Sequence, residues 1–202
     1  MTNPLGRFAR RLGLTEDDAP KEGNAIATST SAAPAAGLER LWAGWRTEYV
    51  SSAGDAGPGD EGCVFCRILG SGLPDEETKV VWRGDGVVAL LNAYPYTSGH
   101  VMVMPVRHIG ELEELGDDAP TLWSTVTAGV RGLKSAYAPE GINVGANLGR
   151  AAGAGVPGHF HVHLLPRWNG DTNFMTTVAE ARVLPESLDV TWQKLRDAWP
   201  TD

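Results

Sequence analysis

Between Gly158 and Trp168 the chain reads GHFHVHLLPRW, with His159, His161 and His163 at alternate positions and Phe160, Val162 and Leu164 between them. Alternation with a period of two marks a β-strand, because successive side chains of a strand point to opposite faces of its sheet. The stretch predicts a strand that sends its apolar residues into a core and lines its other face with three imidazoles. Neighbouring histidines on that face lie about 6.6 Å apart, and His159 and His163 about 13 Å apart. One metal ion does not easily collect all three rings at that span, although adjacent pairs can share a ligand. Three of the chain's five histidines fall in this one register, which is hard to ascribe to composition.

A strand of this kind needs partners, and the rest of the chain supplies them. KVVWR (79–83) reads as a short strand and Asp85-Gly86 as a hairpin turn. VVALLNAY (87–94) is a buried strand, PYTSG a turn, and HVMVMPV (100–106) the next strand. GINVGANLG (141–149) alternates Ile142, Val144, Ala146 and Leu148 with polar or glycine positions and reads as a half-buried strand. A helix is expected from about Ala119 to Tyr137, opening with Pro120 and closing near Pro139. A second is expected over 185–199, carrying Leu188, Trp192, Leu195 and Trp199 on one side. The expected architecture is α+β: an antiparallel sheet of about five strands with two main helices set apart from it.

The body of that fold is expected over 63–202, within the range that a single core of a 202-residue chain can serve. Residues 1–36, including NAIATSTSAAPAAG, have the composition of a disordered tail. LERLWAGWRTEYV (38–50) spaces Leu38, Leu41, Trp42, Trp45 and Tyr49 as one face of a helix, so 37–62 is expected to be a docking segment followed by the linker SSAGDAGPGDEG. The formal charge of −8 argues against nucleic-acid or acidic-membrane partners, which need a positive field. No run approaches the roughly 20 apolar residues of a membrane span. The opening residues lack the apolar segment and cleavage site of a signal peptide. Two cysteines spaced Cys63-x-x-Cys66 do not make a secreted disulfide framework, so a reduced, cytoplasmic setting is expected.

A neutral imidazole is a competent nucleophile near pH 7. Attack on phosphorus gives a phosphoramidate, which splits one displacement into two and keeps the group reactive toward a second acceptor. The middle ring, His161, has a neighbour on each side along the face. The strand is entered through NLGRAAGAGVPG (147–158), whose glycines leave backbone amides open to phosphate oxygens.

His-Phe-His-Val-His-Leu-Leu, together with LLNAYPYTSGHVMVMPVRHI and GINVGANLG, resembles the histidine triad family of nucleotide hydrolases and transferases over roughly residues 60–184. LERLWAGWR before the body and PRWNGDTNFM after the triad resemble the branch of that family that phosphorolyses diadenosine tetraphosphate. The resemblance implies a histidine-triad-like fold, a homodimer, and attack by His161 on a nucleotide α-phosphate. It implies that His163 holds a phosphate oxygen or assists the leaving group. Asn92 matches the family's polar residue near the ribose, Asn147 the asparagine beside the phosphates, and Trp168 a tryptophan near the site.

In one respect the chain departs from the pattern. Many relatives carry a Gln-Ser or Gln-Thr step before the first histidine, where this chain has Ala154-Gly155-Val156 followed by Pro157 and Gly158. Donors to the phosphates are then the backbone amides of Gly155 and Val156, since Pro157 has none. A second anion, inorganic phosphate, needs positive charge, for which Arg150 and Arg167 are the candidates. The Cys63-x-x-Cys66 pair alone fits either two thiols or half a metal site. With His108 and His159 it forms the four-ligand set on which several relatives bind structural zinc. His100, at a strand start, reads as a hydrogen-bonded structural histidine.

The expected activity is transfer of a nucleotidyl group from a dinucleoside polyphosphate: diadenosine tetraphosphate plus phosphate to ATP plus ADP. A hydrolase releasing a nucleoside monophosphate from dinucleoside polyphosphates or phosphoramidates is the alternative. A zinc-stabilised nucleotide-binding module without turnover is a third reading, opposed by the intact His161.

Overall fold

A computed structural model describes residues 62–172 and 184–200. Tail 1–36, nearly all of the docking segment and linker at 37–62, and the end of PRWNGDTNFM lie outside the described residues. In chain order the elements are α1 (Val64–Leu69), α2 (Asp75–Thr78), β1 (Val80–Arg83), β2 (Val87–Leu91), β3 (Val101–Pro105), α3 (Asp118–Tyr137), β4 (Gly141–Ala146), β5 (Val162–Arg167) and α4 (Leu188–Ala198). The five strands form one antiparallel sheet in the order β1-β2-β3-β5-β4, as the α+β expectation requires.

Strand parity sorts the sheet into two faces. Val87, Ala89, Leu91, Val101, Val103, Val162 and Leu164 point to one side, where α3 and α4 cover them with Leu122, Leu133, Leu195 and Trp199. Val88, Leu90, Met102 and Met104 point to the other, beneath Phe65 and Ile68 of α1. The central strands β2 and β3 are therefore buried on both faces, which is why they read as unbroken apolar runs rather than alternating ones. The two long helices cover one face over the central strands. The other carries only the six-residue α1, and the histidines share its parity. Gly129 of α3 sits where a Cβ would stand 3.1 Å from the Trp199 ring, so glycine within this helix permits close packing of α4.

Four expectations are corrected. Regular pairing of the histidine strand begins at Val162, so His159 and His161 precede the ladder; Phe160 N–H still bonds Ile109 O at 2.6 Å. The expected strand over 141–149 ends at Ala146, and β4 is largely exposed rather than half-buried, with Val144 at 46% and Leu148, past its end, at 44%. Among the described residues it is an edge strand, of which Ile142 packs on the helix-covered core. α4 starts at Leu188, after Pro185 and Glu186, because the Ser187 hydroxyl caps it by accepting from Val190 N–H. α1 and α2 are additional helices, too short to leave a periodic signal.

Candidate functional site

His159 is fully buried, and its two ring nitrogens face different partners. Nε2 lies 2.9 Å from Pro105 O, to which it donates its hydrogen. Nδ1 is thereby left bare, 3.4 Å from Cys63 Sγ and 3.6 Å from Cys66 Sγ. His108 Nδ1 completes the group at 3.3 Å from Cys66 Sγ. All four ligand atoms lie within 4.8 Å of one another. A tetrahedron with bonds of about 2.0–2.3 Å has edges of about 3.3–3.8 Å, so the three short separations, 3.3, 3.4 and 3.6 Å, match the edges around one zinc-sized ion. Two thiolates and two imidazoles are the donor set zinc prefers, and the Pro105 carbonyl behind His159 is the outer support that orients a ligating ring. The local cause is compact: Cys63 caps α1, Cys66 lies one turn on, His108 follows β3, and His159 ends the glycine-rich loop.

The second and third triad histidines are arranged differently. His161 Nδ1 lies 2.8 Å from His159 O. A carbonyl only accepts, so Nδ1 carries the hydrogen and Nε2 holds the lone pair. His163 is ordered through His100. Tyr96 N–H donates to His100 Nδ1 at 3.2 Å, which places the His100 hydrogen on Nε2. That hydrogen points at His163 Nδ1, 2.9 Å away, and leaves His163 with an Nε2–H donor. The rings of His161 and His163 meet edge to face with centroids 4.8 Å apart. A bare nucleophilic nitrogen and an N–H donor therefore stand side by side.

Their electrostatics agree with that arrangement. Burial pushes His161 below the ordinary histidine value, against the opposing pull of the His159 carbonyl. His163 is pushed down to about 4, first by burial and then by the charge His161 would carry. Both rings are neutral near pH 7. His100 reaches its place because Gly99 has φ +83°, and a Cβ there would press on Tyr137, Pro166 and Leu133 at 3.0–3.2 Å.

The remaining predicted residues are spread more widely. Asn92 follows β2, where its Oδ1 accepts from Tyr94 N–H at 2.9 Å. The Asn147 amide donates to Gly153 O at 3.3 Å and ties together the loop before the triad. Gly155 and Val156 lie in the last turn of that loop, where Val156 O accepts from His159 N–H at 3.3 Å and the Val156 side chain packs on the α1 face. Trp168 stands beyond the far end of β5, its ring edge-on to Tyr137 at 6.2 Å. Arg167 is clamped by both Asp171 oxygens, at 2.6 and 2.8 Å, and by Asn143 Oδ1 at 2.8 Å. Arg150 opens the short turn Arg150–Ala152. Sequence reasoning reads His100 as a hydrogen-bonded structural histidine, which its contacts with Tyr96 and His163 bear out, and gives no role to Phe65, which packs against both His159 and His161. The hint for Phe65 was its position inside the Cys-x-x-Cys spacing; His100 gave no local signal, since its partner lies 63 residues away.

Known proteins carry the same features. Residues 74–170 match the HIT domain model. AP-4-A phosphorylase of Mycobacterium tuberculosis is 40% identical over 170 residues, spanning 80% of this chain and 85% of that protein. A zinc-bound histidine triad family protein from Mycobacterium smegmatis superposes with a TM-score of 0.55 at 27% identity, covering 69% of this chain and 94% of that one. A hypothetical histidine triad nucleotide-binding protein from Sulfolobus tokodaii gives a TM-score of 0.55 at 29% identity, covering 67% and 91%. With the sheet, the triad and these matches in agreement, the chain belongs to the histidine triad (HIT) family.

Proposed function

We propose that this protein is a nucleotidyltransferase that cleaves dinucleoside polyphosphates, converting diadenosine tetraphosphate and inorganic phosphate into ATP and ADP. The observation that carries the chemistry is the 2.8 Å contact of His161 Nδ1 with the His159 carbonyl, which leaves Nε2 as the attacking atom. The substrate class follows the name of the mycobacterial phosphorylase, to which the chain is 40% identical.

In the first step Nε2 bonds to an α-phosphorus while the bond to the bridging oxygen breaks, and ATP leaves with that electron pair. The adenylated His161 ring is cationic, and its Nδ1–H faces the His159 carbonyl. The His163 Nε2–H steadies a phosphate oxygen or the departing oxygen. In the second step an oxygen of inorganic phosphate attacks the same phosphorus, the N–P bond breaks, its electrons return to Nε2, and ADP leaves. Amides of Gly155 and Val156 with Asn147 hold the phosphates, and Asn92 meets the ribose. Zinc on Cys63, Cys66, His108 and His159 would supply a structural crosslink with four protein ligands, leaving no position for water. Reduced thiols in that set accord with a cytoplasmic setting. None of the described helices is long and apolar enough to cross a membrane.

The working unit is a homodimer. Among the described residues β4 lies at the edge of the sheet, with Val144 exposed on it and Leu148 exposed just past its end, the kind of edge a second copy can extend. Antiparallel pairing of two β4 strands would bring the Trp168 end of one copy toward the histidine end of the other, which would give Trp168 a place near the site.

A hydrolase is the second reading. Arg167, one of two candidate cations for the acceptor phosphate, is held by Asp171 and Asn143, and the loop offers no Gln-Ser side chains. Product analysis with diadenosine tetraphosphate decides. ATP and ADP formed only when phosphate is present identify the phosphorylase, AMP formed without phosphate identifies the hydrolase, and no cleavage under either condition, nor of a nucleoside phosphoramidate, refutes both.

A further inference from the structure

We propose that Phe65 is a positioning residue for His161, the link through which the Cys63–Cys66 metal cluster sets the orientation of the reactive ring. The inference rests on the assignment of His161 as nucleophile.

α1 has only six residues, with Cys63 as its cap and Cys66 within it. A helix this short does not hold itself together in water. Its place is set by the buried Phe65 and Ile68 and by whatever holds the two thiols. An ion bound to Cys63 and Cys66 fixes both the position of α1 and its rotation about its own axis. Phe65 lies between those ligands and is 5% exposed. Its ring packs against His159 with centroids 5.5 Å apart at 87°, and against His161 at 5.2 Å and 66°. One side chain thus touches a metal ligand and the nucleophile together.

The contact has a definite task. The bond from His161 Nδ1 to the His159 carbonyl selects the tautomer, but the outer torsion of a histidine ring is broad. One hydrogen bond therefore leaves the direction of Nε2 loosely set. His163 limits the ring on one side, with centroids 4.8 Å apart, and Phe65 supplies a second wall. Attack on phosphorus needs the lone pair aligned with the departing oxygen, and small misplacements of such a group cost up to about 100-fold. Loss of metal would then slow transfer by freeing α1 and withdrawing this wall, although no ligand of the ion touches substrate.

The test compares zinc-loaded, full-length wild type with Phe65→Ala, Phe65→Leu and His161→Ala. It measures zinc content, KM, the single-turnover rate of nucleotidyl transfer to His161, and the orientational order of the His161 ring by NMR relaxation. Phe65→Ala should keep its zinc and hold KM within about threefold of wild type. Transfer should slow by about 10- to 100-fold, with the His161 tautomer unchanged and its ring spread over a wider range of the outer torsion. A rate within about twofold of wild type, a loss confined to KM, or a His161 ring as ordered as in wild type overturns the proposal. If Phe65→Ala loses zinc or fails to fold, Phe65→Leu decides: a folded, zinc-bound protein slowed about three- to tenfold supports positioning by the aromatic ring, and a wild-type rate overturns it. Turnover surviving in His161→Ala would overturn the nucleophile assignment itself, an outcome distinct from any behaviour of the Phe65 variants.

Discussion

His159 and His161 are the same residue type two positions apart, yet they expose opposite nitrogens. His159 gives its Nε2–H to the Pro105 carbonyl and turns a bare Nδ1 toward two thiols. His161 gives its Nδ1–H to the His159 carbonyl and keeps a bare Nε2. The difference lies in which nitrogen a backbone carbonyl occupies, for an imidazole with one hydrogen placed has only one lone pair to offer. On the proposed reading, a metal ligand and a nucleophile are in this sense one device pointed in two directions. The His159 residue serves both, through its ring at the cluster and its carbonyl at the neighbouring ring.

The strongest test of that division is His161→Ala. It should lower kcat by at least about 1000-fold while nucleotide binding stays measurable by calorimetry, and zinc content and Tm should be unchanged. Full activity in this variant would end the nucleophile assignment. Cys66→Ser attacks the other half. It should release the metal and cost about 3 kcal/mol or more, seen as a Tm lower by about 6–12 °C and as zinc missing from elemental analysis. A variant that keeps both metal and Tm would show that the four-residue cluster is not a working site.

His100→Ala probes the third ring. Without the donor at 2.9 Å, His163 is free to carry its hydrogen on Nδ1, and kcat should fall by about 10- to 100-fold. His100→Gln, which can place an amide N–H near the same point, should recover much of the loss. Equal loss in both variants would mean that the tautomer is set elsewhere. The last test concerns pH and stability. The His163 ring titrates near 4 when folded, against an ordinary 6.5, so between those values the unfolded chain binds more protons. Its contribution is complete above about pH 6.5 and is lost as pH falls toward 4, by up to about 3 kcal/mol. Urea unfolding of wild type and His163→Asn should show a shallower pH slope in the variant over that window, and identical slopes would remove His163 from the account.

Much of this is legible in the amino-acid sequence. The alternation around His159–His163 assigns side chains to faces, the unbroken apolar runs of β2 and β3 report burial on both faces, and the periodic helix ending at Tyr137 reports its covered side. Burial leaves a local pattern in sequence. β4 misled for the same reason: Val144 and Leu148 alternate like a covered strand, although the described helices leave them exposed. The start of α4 hinged on a cap at Ser187 rather than on the proline two residues earlier.

The amino-acid sequence by itself determined the residue types of the site: three imidazoles at alternate positions, a glycine loop leading into them, and two thiols three residues apart. Tertiary structure alone decided which nitrogen of each ring is bare, that His100 stands behind His163, and that Phe65 lies against His161. Residue type and spacing are properties of the chain over a few bonds. A tautomer depends on which carbonyl or ring a distant segment brings within about 3 Å, and that is settled only when the sheet closes.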